Sequence, residues 1–446
     1  MNPSTYADRV ENLHPSSIRK MMAIARKLIS EGRIVHELNI GQPDISCISV
    51  FAETFQRRAQ KGHFNYSPYI GEQFLRETFA RYINHHFDRR GERHLVVDTE
   101  NVLVTCGASQ ALCNVFLALC NPGDEVLCIE PFFPPYVGFL AVSGGVLKTV
   151  PTFAEKNFVL PSDEEIEKHL TPRTRAILFN SPCNPSGKIF SAEEVTRLAR
   201  LAVRHNLFLV SDEVYREMIL GDQQPFSILQ VQLEPAEMES LKNKIITIDS
   251  ASKSFSLCGA RVGFVIARPD IIEKVALVTA HTVACVSDGL QYGVAAAYDH
   301  VIANPSYFTE LRKTYRDRLD AGMNALREYM PDIIAPRPDG AFYLMMQFPG
   351  IDDISEFCFF LLEKFNLANE TVAITPADSF YLTPERGKNE VRLALVVCPE
   401  KIRRSMHIIA EAFKSYQAFL DYHKRPSLSG EKSRLMANSS NFRSLA

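Results

Sequence analysis

The chain has 446 residues, 46% hydrophobic and 23% charged, so it has the apolar material for sizeable cores; disorder as its main state is excluded, and two domains or one large domain with a satellite are expected. Lys and Arg total 49 against 52 Asp and Glu, a formal net charge of -3, which excludes a global basic field for nucleic acid or an anionic membrane surface and leaves a small-molecule function as the default. No run approaches the ~20 apolar residues of a membrane span, and the opening MNPSTYADRVENLH has no charged stretch leading into an apolar one, so a cytoplasmic protein is expected.

In chain order, residues 1–55 read as a helix and an extended arm that returns to form part of a smaller domain. Short Val-, Ile- and Leu-rich runs then alternate with segments of helical period: NVLVTC (101–106), SQALCNVFLALC (109–120), EVLCIEP (125–131), AILFNSP (176–182), AEEVTRLARLAVRH (192–205), LFLVSDE (207–213) and IITIDS (245–250). Such near-continuous apolar strands suit a sheet buried on both faces. The expected fold class is therefore α/β, with a large domain over 56–310 built on a mostly parallel sheet flanked by helices. A helical stretch at 304–330 leads into GAFYLMMQF, ISEFCFFLLEKF, VRLALVV and KIRRSMHIIAEAFKSY, which read as a smaller α+β domain over 311–424. The Ser-rich residues 425–446 have no sustained apolar period and are expected to be disordered. The ten cysteines lie singly with no metal-ligand spacing, which reads as buried thiols rather than disulfides or zinc ligands.

Several strand ends carry residues with chemical potential. In VTCGASQAL (104–112) the chain passes through Gly107 into a helix whose first amides, from Ala108 and Ser109, are placed to hold a phosphate; a structural turn is the plainer reading. Phe133, after the next strand, offers an aromatic face for a planar ligand or an ordinary core ring. FNSPCNPSGK (179–188) presents Asn184 in a Pro-punctuated loop, and its Gly187-Lys188 pair does not begin an ATP-binding phosphate loop because position 182 is Pro. Asp212 ends an apolar strand, where a carboxylate is costly unless a cation or donor pairs with it, and Tyr215 follows three residues later. In IDSASKSFSLCGARVGFV (248–265) a strand ends in a Ser-rich turn bearing Ser250, Ser252 and Lys253, with Arg261 eight residues beyond the lysine. Alone, Lys253 reads as a solvated lysine and the serines as turn residues or caps. A lysine that forms a Schiff base with pyridoxal phosphate needs phosphate donors nearby, and Ser250, Ser252 and Arg261 are of the right kind. The joint occurrence of these residues after successive strands decides between the two readings, because such positions converge at the carboxyl edge of a parallel sheet.

With these residues assembled, the sequence resembles the pyridoxal-phosphate-dependent aminotransferases of fold type I, the aspartate aminotransferase superfamily (class I and II), over about residues 36–415. LNIGQPD (38–44), NYSPYIGEQFLRETFA (65–80), SKSFSLCGARVGF (252–264) and GKNEVRLAL (387–395) look most like a bacterial subgroup often labelled aspartate aminotransferase. The resemblance implies pyridoxal 5'-phosphate as cofactor and a ping-pong transfer of an amino group between an L-amino acid and a 2-oxo acid such as 2-oxoglutarate. It further implies that Lys253 forms the Schiff base and shuttles the proton, that Asp212 keeps the pyridine nitrogen protonated, and that Tyr215 and Asn184 bond the ring oxygen. Phe133 would stack on the ring, and the Ala108 and Ser109 amides with Gly107, Ser250, Ser252 and Arg261 would hold the phosphate. Gly41 would lie by the substrate and Arg392 would grip its α-carboxylate in a bidentate fork. Tyr66 would reach the phosphate of a neighbouring subunit, which implies a homodimer with shared active sites; the charge balance leaves no nucleic-acid or membrane partner expected.

The resemblance departs where the substrate side chain is read. A neutral Ser109 stands where some dicarboxylate-preferring members carry a basic residue, and AHTVACVSDGLQ (280–291) has no Arg or Lys, leaving His281, Gln291 or an arginine elsewhere as substitutes. The same cofactor cage also supports elimination, substitution or cyclisation, so a lyase or cyclising enzyme is the alternative. A binding module without catalysis is disfavoured because Lys253 and Asp212 are both present.

Overall fold

The computed structural model describes residue 11 and residues 17–63 and 65–424; the expected disordered tail, 425–446, lies outside them. After a helix over Ser17–Ser30, strand β1 (Ile34–Glu37) leaves the amino-terminal part of the chain and pairs in parallel, far along the sequence, with β10 (Glu370–Ala373). Between them lies a sheet of seven strands: β2 (Val102–Thr105), β3 (Glu125–Ile129), β4 (Val146–Val150), β5 (Thr174–Asn180), β6 (Phe208–Asp212), β7 (Ile245–Ser250) and β8 (Gly263–Ala267), in the order β2-β8-β7-β6-β5-β3-β4. All neighbours are parallel except those of β8, which runs antiparallel to both β7 and β2. Every residue of β2, β3, β7 and β8 is buried, as helices on both faces require.

The strand order reverses between β3 and β5, since β4 lies outside β3 and the chain then crosses back; such a switch point opens a crevice at the carboxyl edge. The crossover helix Ala192–Arg204 has a reciprocal cap: Ser191 Oγ accepts from the Glu194 amide at 3.1 Å and the Glu194 carboxylate accepts from the Ser191 amide at 2.8 Å. Its Val195, Leu198, Ala199, Leu201 and Ala202 face the core at the spacing of one helical stripe.

Beyond the helix Ser306–Tyr329, strands β9 (Tyr343–Gln347), β11 (Thr375–Pro376) and β12 (Glu390–Ala394) form an antiparallel sheet with β12 in the centre. The helix Pro399–Lys424 packs back on Ser306–Tyr329. The register sets Arg392 opposite Met345 and Ala394 opposite Tyr343, so Arg392 and Tyr343 are diagonal neighbours on one face. The sequence reading of a mostly parallel α/β sheet with a smaller α+β part agrees with this architecture. All ten cysteines are free thiols; Cys120, Cys128, Cys183 and Cys358 are buried and the others partly so.

Candidate active site

Asp212 closes β6, buried at 4% exposure. Its Oδ2 accepts from the Tyr136 hydroxyl at 2.6 Å and its Oδ1 from the Val214 amide at 3.3 Å. Burial pushes the carboxyl up to about 6, while the Tyr136 hydrogen bond and the Lys253 ammonium pull it back. A carboxylate in that position is short of one positive partner.

Lys253 sits in the one-turn helix Ala251–Ser254 that follows β7. Its Nζ donates to the Gly41 carbonyl at 2.7 Å, stands 3.7 Å from Cys258 Sγ, and lies 5.6 Å from the ring centres of both Tyr215 and Phe342. Ser250 Oγ caps this turn by accepting from the Ser252 amide at 3.1 Å and donates its proton to the Val262 carbonyl at 2.9 Å. In the 2.8 Å contact between the two hydroxyls Ser252 is therefore the donor.

Arg261 borders the same turn, its Nη1 donating to the Cys258 carbonyl at 2.8 Å. It precedes β8 rather than following a strand, contrary to the pattern read from the sequence; because β8 is antiparallel, its start lies at the edge where the parallel strands end. The Arg261 guanidinium occupies the space that a Cβ on Gly107 would fill, and Gly107 has the left-handed φ of 75° that opens the helix Gly107–Leu119. The first amides of that helix, from Ala108 and Ser109, are thus beside a cation. Phe133 meets Tyr136 edge to face, with ring centres 5.5 Å apart.

Arg392, at 4% exposure, donates through Nη1 to Asn184 Oδ1 at 3.1 Å and through Nη2 to the Asn39 carbonyl at 2.7 Å, and its Nε is buried without a partner. That orientation leaves the Asn184 amide NH2 as its donor end. Burial holds the pKa of the Arg392 guanidinium below its ordinary value. Among the described residues, Lys253, Arg261 and Arg392 form no ion pair with a carboxylate. Three cations brought to one region without acidic partners call for anionic ligands.

Tyr66 is 90% exposed. Gln291 is not available as a substrate group: its Oε1 accepts from the Glu72 amide and its Nε2 donates to the Val286 carbonyl, each at 2.8 Å. His281 spends Nδ1 on the Leu277 carbonyl at 2.8 Å along its own helix. Sequence reasoning missed Tyr136, although it lies three residues after Phe133, and missed Tyr343, which lay inside a run read only as a strand. It also missed Arg216, which lies buried between Glu213 at 2.8 Å and Asp249 at 3.0 Å and so ties the end of β6 to the end of β7.

The family model for aminotransferase class I and II matches residues 33–409. The chain belongs to this family. An aspartate aminotransferase of Thermotoga maritima is 33% identical over 408 residues, covering 91% of this chain and 99% of the relative. An aspartate/prephenate aminotransferase of Thermus thermophilus is 31% identical over 404 residues, covering 90% and 97%. Among solved structures, the Thermus thermophilus aspartate aminotransferase with maleate superposes with a TM-score of 0.81 at 29% identity over 92% of this chain and all of that one. An aromatic aminotransferase from Pyrococcus horikoshii gives 0.76 at 28% identity over 88% of this chain and 99% of that one. The protein is thus an aminotransferase of fold type I, a pyridoxal-phosphate enzyme, and the elimination or cyclisation alternative is not favoured.

The residues present in this aminotransferase fit the cofactor. Arg261 over Gly107 at a helix amino terminus suits a phosphate, and Asp212, whose acidity is weakened by burial, suits a protonated pyridine nitrogen.

Proposed function

We propose that this aminotransferase takes the amino group of an L-amino acid and passes it to a 2-oxo acid such as 2-oxoglutarate in two half-reactions at one site. The observation that carries the reading is Arg392, a buried cation with an unpartnered Nε and no carboxylate paired with it among the described residues. A substrate α-carboxylate supplies the missing charge and acceptors, and both substrates have one.

Pyridoxal phosphate, when bound, supplies an aldehyde that takes up the amino group and a ring that accepts electrons. Lys253 would hold the cofactor through its amine and would move the proton at the substrate α-carbon; the Gly41 carbonyl, 2.7 Å away, accepts a hydrogen bond from its Nζ. Asp212, held by Tyr136, would keep a proton on the ring nitrogen. Tyr215 and the NH2 end of Asn184 would donate to the ring oxygen, and Phe133 would cover the ring face. Arg261 and the Gly107, Ala108 and Ser109 backbone would bind the phosphate, and Ser252 would join them by turning its hydroxyl away from Ser250, whose own proton goes to the Val262 carbonyl. Gly41, having no side chain, leaves room for the Tyr343 hydroxyl against its Cα.

The donor we favour is aspartate or an amino acid of related size, in keeping with the names of the relatives, although Ser109 and 280–291 provide no cation for a second carboxylate. A homodimer is part of the reading: Tyr66 would reach a second copy's phosphate, and its 90% exposure supports this. So is the division into 1–55 with the smaller domain, 56–310 and 311–424, supported by the pairing of β1 with β10. Ten unpaired thiols support a cytoplasmic location; among the described residues no helix is long and apolar enough to cross a membrane.

The test is a single-turnover absorbance assay of the cofactor-loaded protein against a panel of amino acids that includes aspartate. Conversion of the cofactor's aldehyde-derived band to that of its amine form, with one oxo acid released, is expected. A cleaved product with no amine form would overturn the reading.

A further inference from the structure

Tyr343 opens β9 and is 2% exposed, and nothing in the reading above gives it a role in the reaction. Three features gather on it. Its hydroxyl lies 2.8 Å from the Tyr215 hydroxyl, with the rings 5.7 Å apart at 76°. The Arg392 guanidinium carbon lies 4.5 Å from its ring centre. The same hydroxyl fills the space where Gly41 would carry a Cβ, and the Gly41 carbonyl is the acceptor for Lys253.

Proton counting assigns the direction of the contact between the two tyrosines. Each phenol has one proton to give. If Tyr215 donates to the cofactor ring oxygen, its proton is spent, and the proton between the tyrosines comes from Tyr343. A hydroxyl that accepts a hydrogen bond donates a stronger one, and in a buried pair this polarisation is not averaged away by water. The Arg392 cation above the Tyr343 ring stabilises negative charge building on the Tyr343 oxygen, which favours the same direction.

We infer that Tyr343 is a positioning residue: its hydroxyl donates to Tyr215, aiming and strengthening the hydrogen bond that Tyr215 gives the cofactor ring oxygen. The inference rests on the role proposed above for Tyr215. A tyrosine that only packed beneath Gly41 and Arg392 would do the same work as phenylalanine.

The test compares wild type, Tyr215→Phe, Tyr343→Phe and the double variant as cofactor-loaded proteins, reading the pH midpoint of the bound cofactor's visible band. Loss of the titrating proton leaves negative charge on the ring oxygen. A donor to that oxygen favours the deprotonated form and lowers the midpoint. Tyr215→Phe is expected to raise the midpoint by on the order of one pH unit, the scale of one hydrogen bond to a charged group. Tyr343→Phe is expected to raise it by ~0.3 unit, the share that cooperative strengthening adds to a bond, and the double variant to match Tyr215→Phe. Far-ultraviolet circular dichroism confirms that each variant is folded. A Tyr343→Phe midpoint equal to wild type, with Tyr215→Phe shifted, overturns the inference and leaves the Tyr215 role standing. Full additivity in the double variant overturns it too, because the two hydroxyls would then act independently. An unshifted Tyr215→Phe overturns the Tyr215 role itself, and the inference with it.

Discussion

Replacing Asp212 by Asn removes one charge and one titration from a position that is 4% exposed. In the cofactor-free protein burial raises this carboxyl from 3.8 to about 6. A carboxyl with a folded-state value above its unfolded one binds more protons folded than unfolded. Its stabilising contribution is therefore full below about pH 4 and is lost as pH rises through about 6. At about 1.36 kcal/mol per pH unit the loss comes to about 3 kcal/mol, an order-of-magnitude figure. Asn does not titrate. It brings an NH2 group to a place where both carboxylate oxygens accept, from Tyr136 and from Val214, and that mismatch costs about 1–3 kcal/mol at every pH. The pH-independent offset cancels when the difference between the two proteins is followed with pH. Urea unfolding of both cofactor-free proteins from about pH 4.5 to about pH 8 should show Asp212→Asn gaining on wild type by about 2 kcal/mol, since part of the loss has already occurred by about pH 4.5. With cofactor bound the order reverses, because the variant has no charge to pair with the ring nitrogen, and turnover is lost. Parallel pH curves for the two cofactor-free proteins would show that the buried carboxylate carries no such strain and would refute the reasoning.

Tyr136→Phe removes the 2.6 Å donor to Asp212 and should weaken pyridoxal phosphate binding ~10–100-fold, measured by equilibrium dialysis. It should also move the acid limb of the pH–rate profile upward, since that hydroxyl holds the carboxyl's value down; an unchanged affinity and limb would deny Tyr136 any part in the site. Arg392→Lys keeps the charge but loses the fork that spans Asn184 and Asn39, so initial rates should show KM rising ~10–100-fold for amino and oxo acid alike. A KM rise for one substrate only would break the shared-carboxylate argument. Gly41→Ala sets a methyl group into the Tyr343 hydroxyl, and overpacking of about 1–3 kcal/mol should lower both Tm and kcat. Wild-type values of both would mean that the backbone at Gly41 yields freely.

The apolar runs that became β2, β3, β5, β6 and β7 were legible in the sequence because burial on both faces demands near-continuous Val, Ile and Leu, a pattern that is local. The placement of Gly107, Asn184, Asp212 and Lys253 was legible for a related reason, since residues just past parallel strands share one edge whatever their distance along the chain. The reversed direction of β8, which brings Arg261 to that edge from the opposite side, was not written in any local run. Nor were the partners of the tyrosines. Tyr343 meets a hydroxyl 128 residues away and Arg392 a carbonyl 353 residues away, and Tyr136 faces Asp212 only because β3 and β6 flank β5. By itself the sequence determined the strands, the order of the chemical groups and the family they resemble. The tertiary structure alone decided which hydroxyl donates to which carboxylate, because periodicity reports the face a residue presents, whereas a hydrogen bond depends on strand order, register and close packing between distant segments.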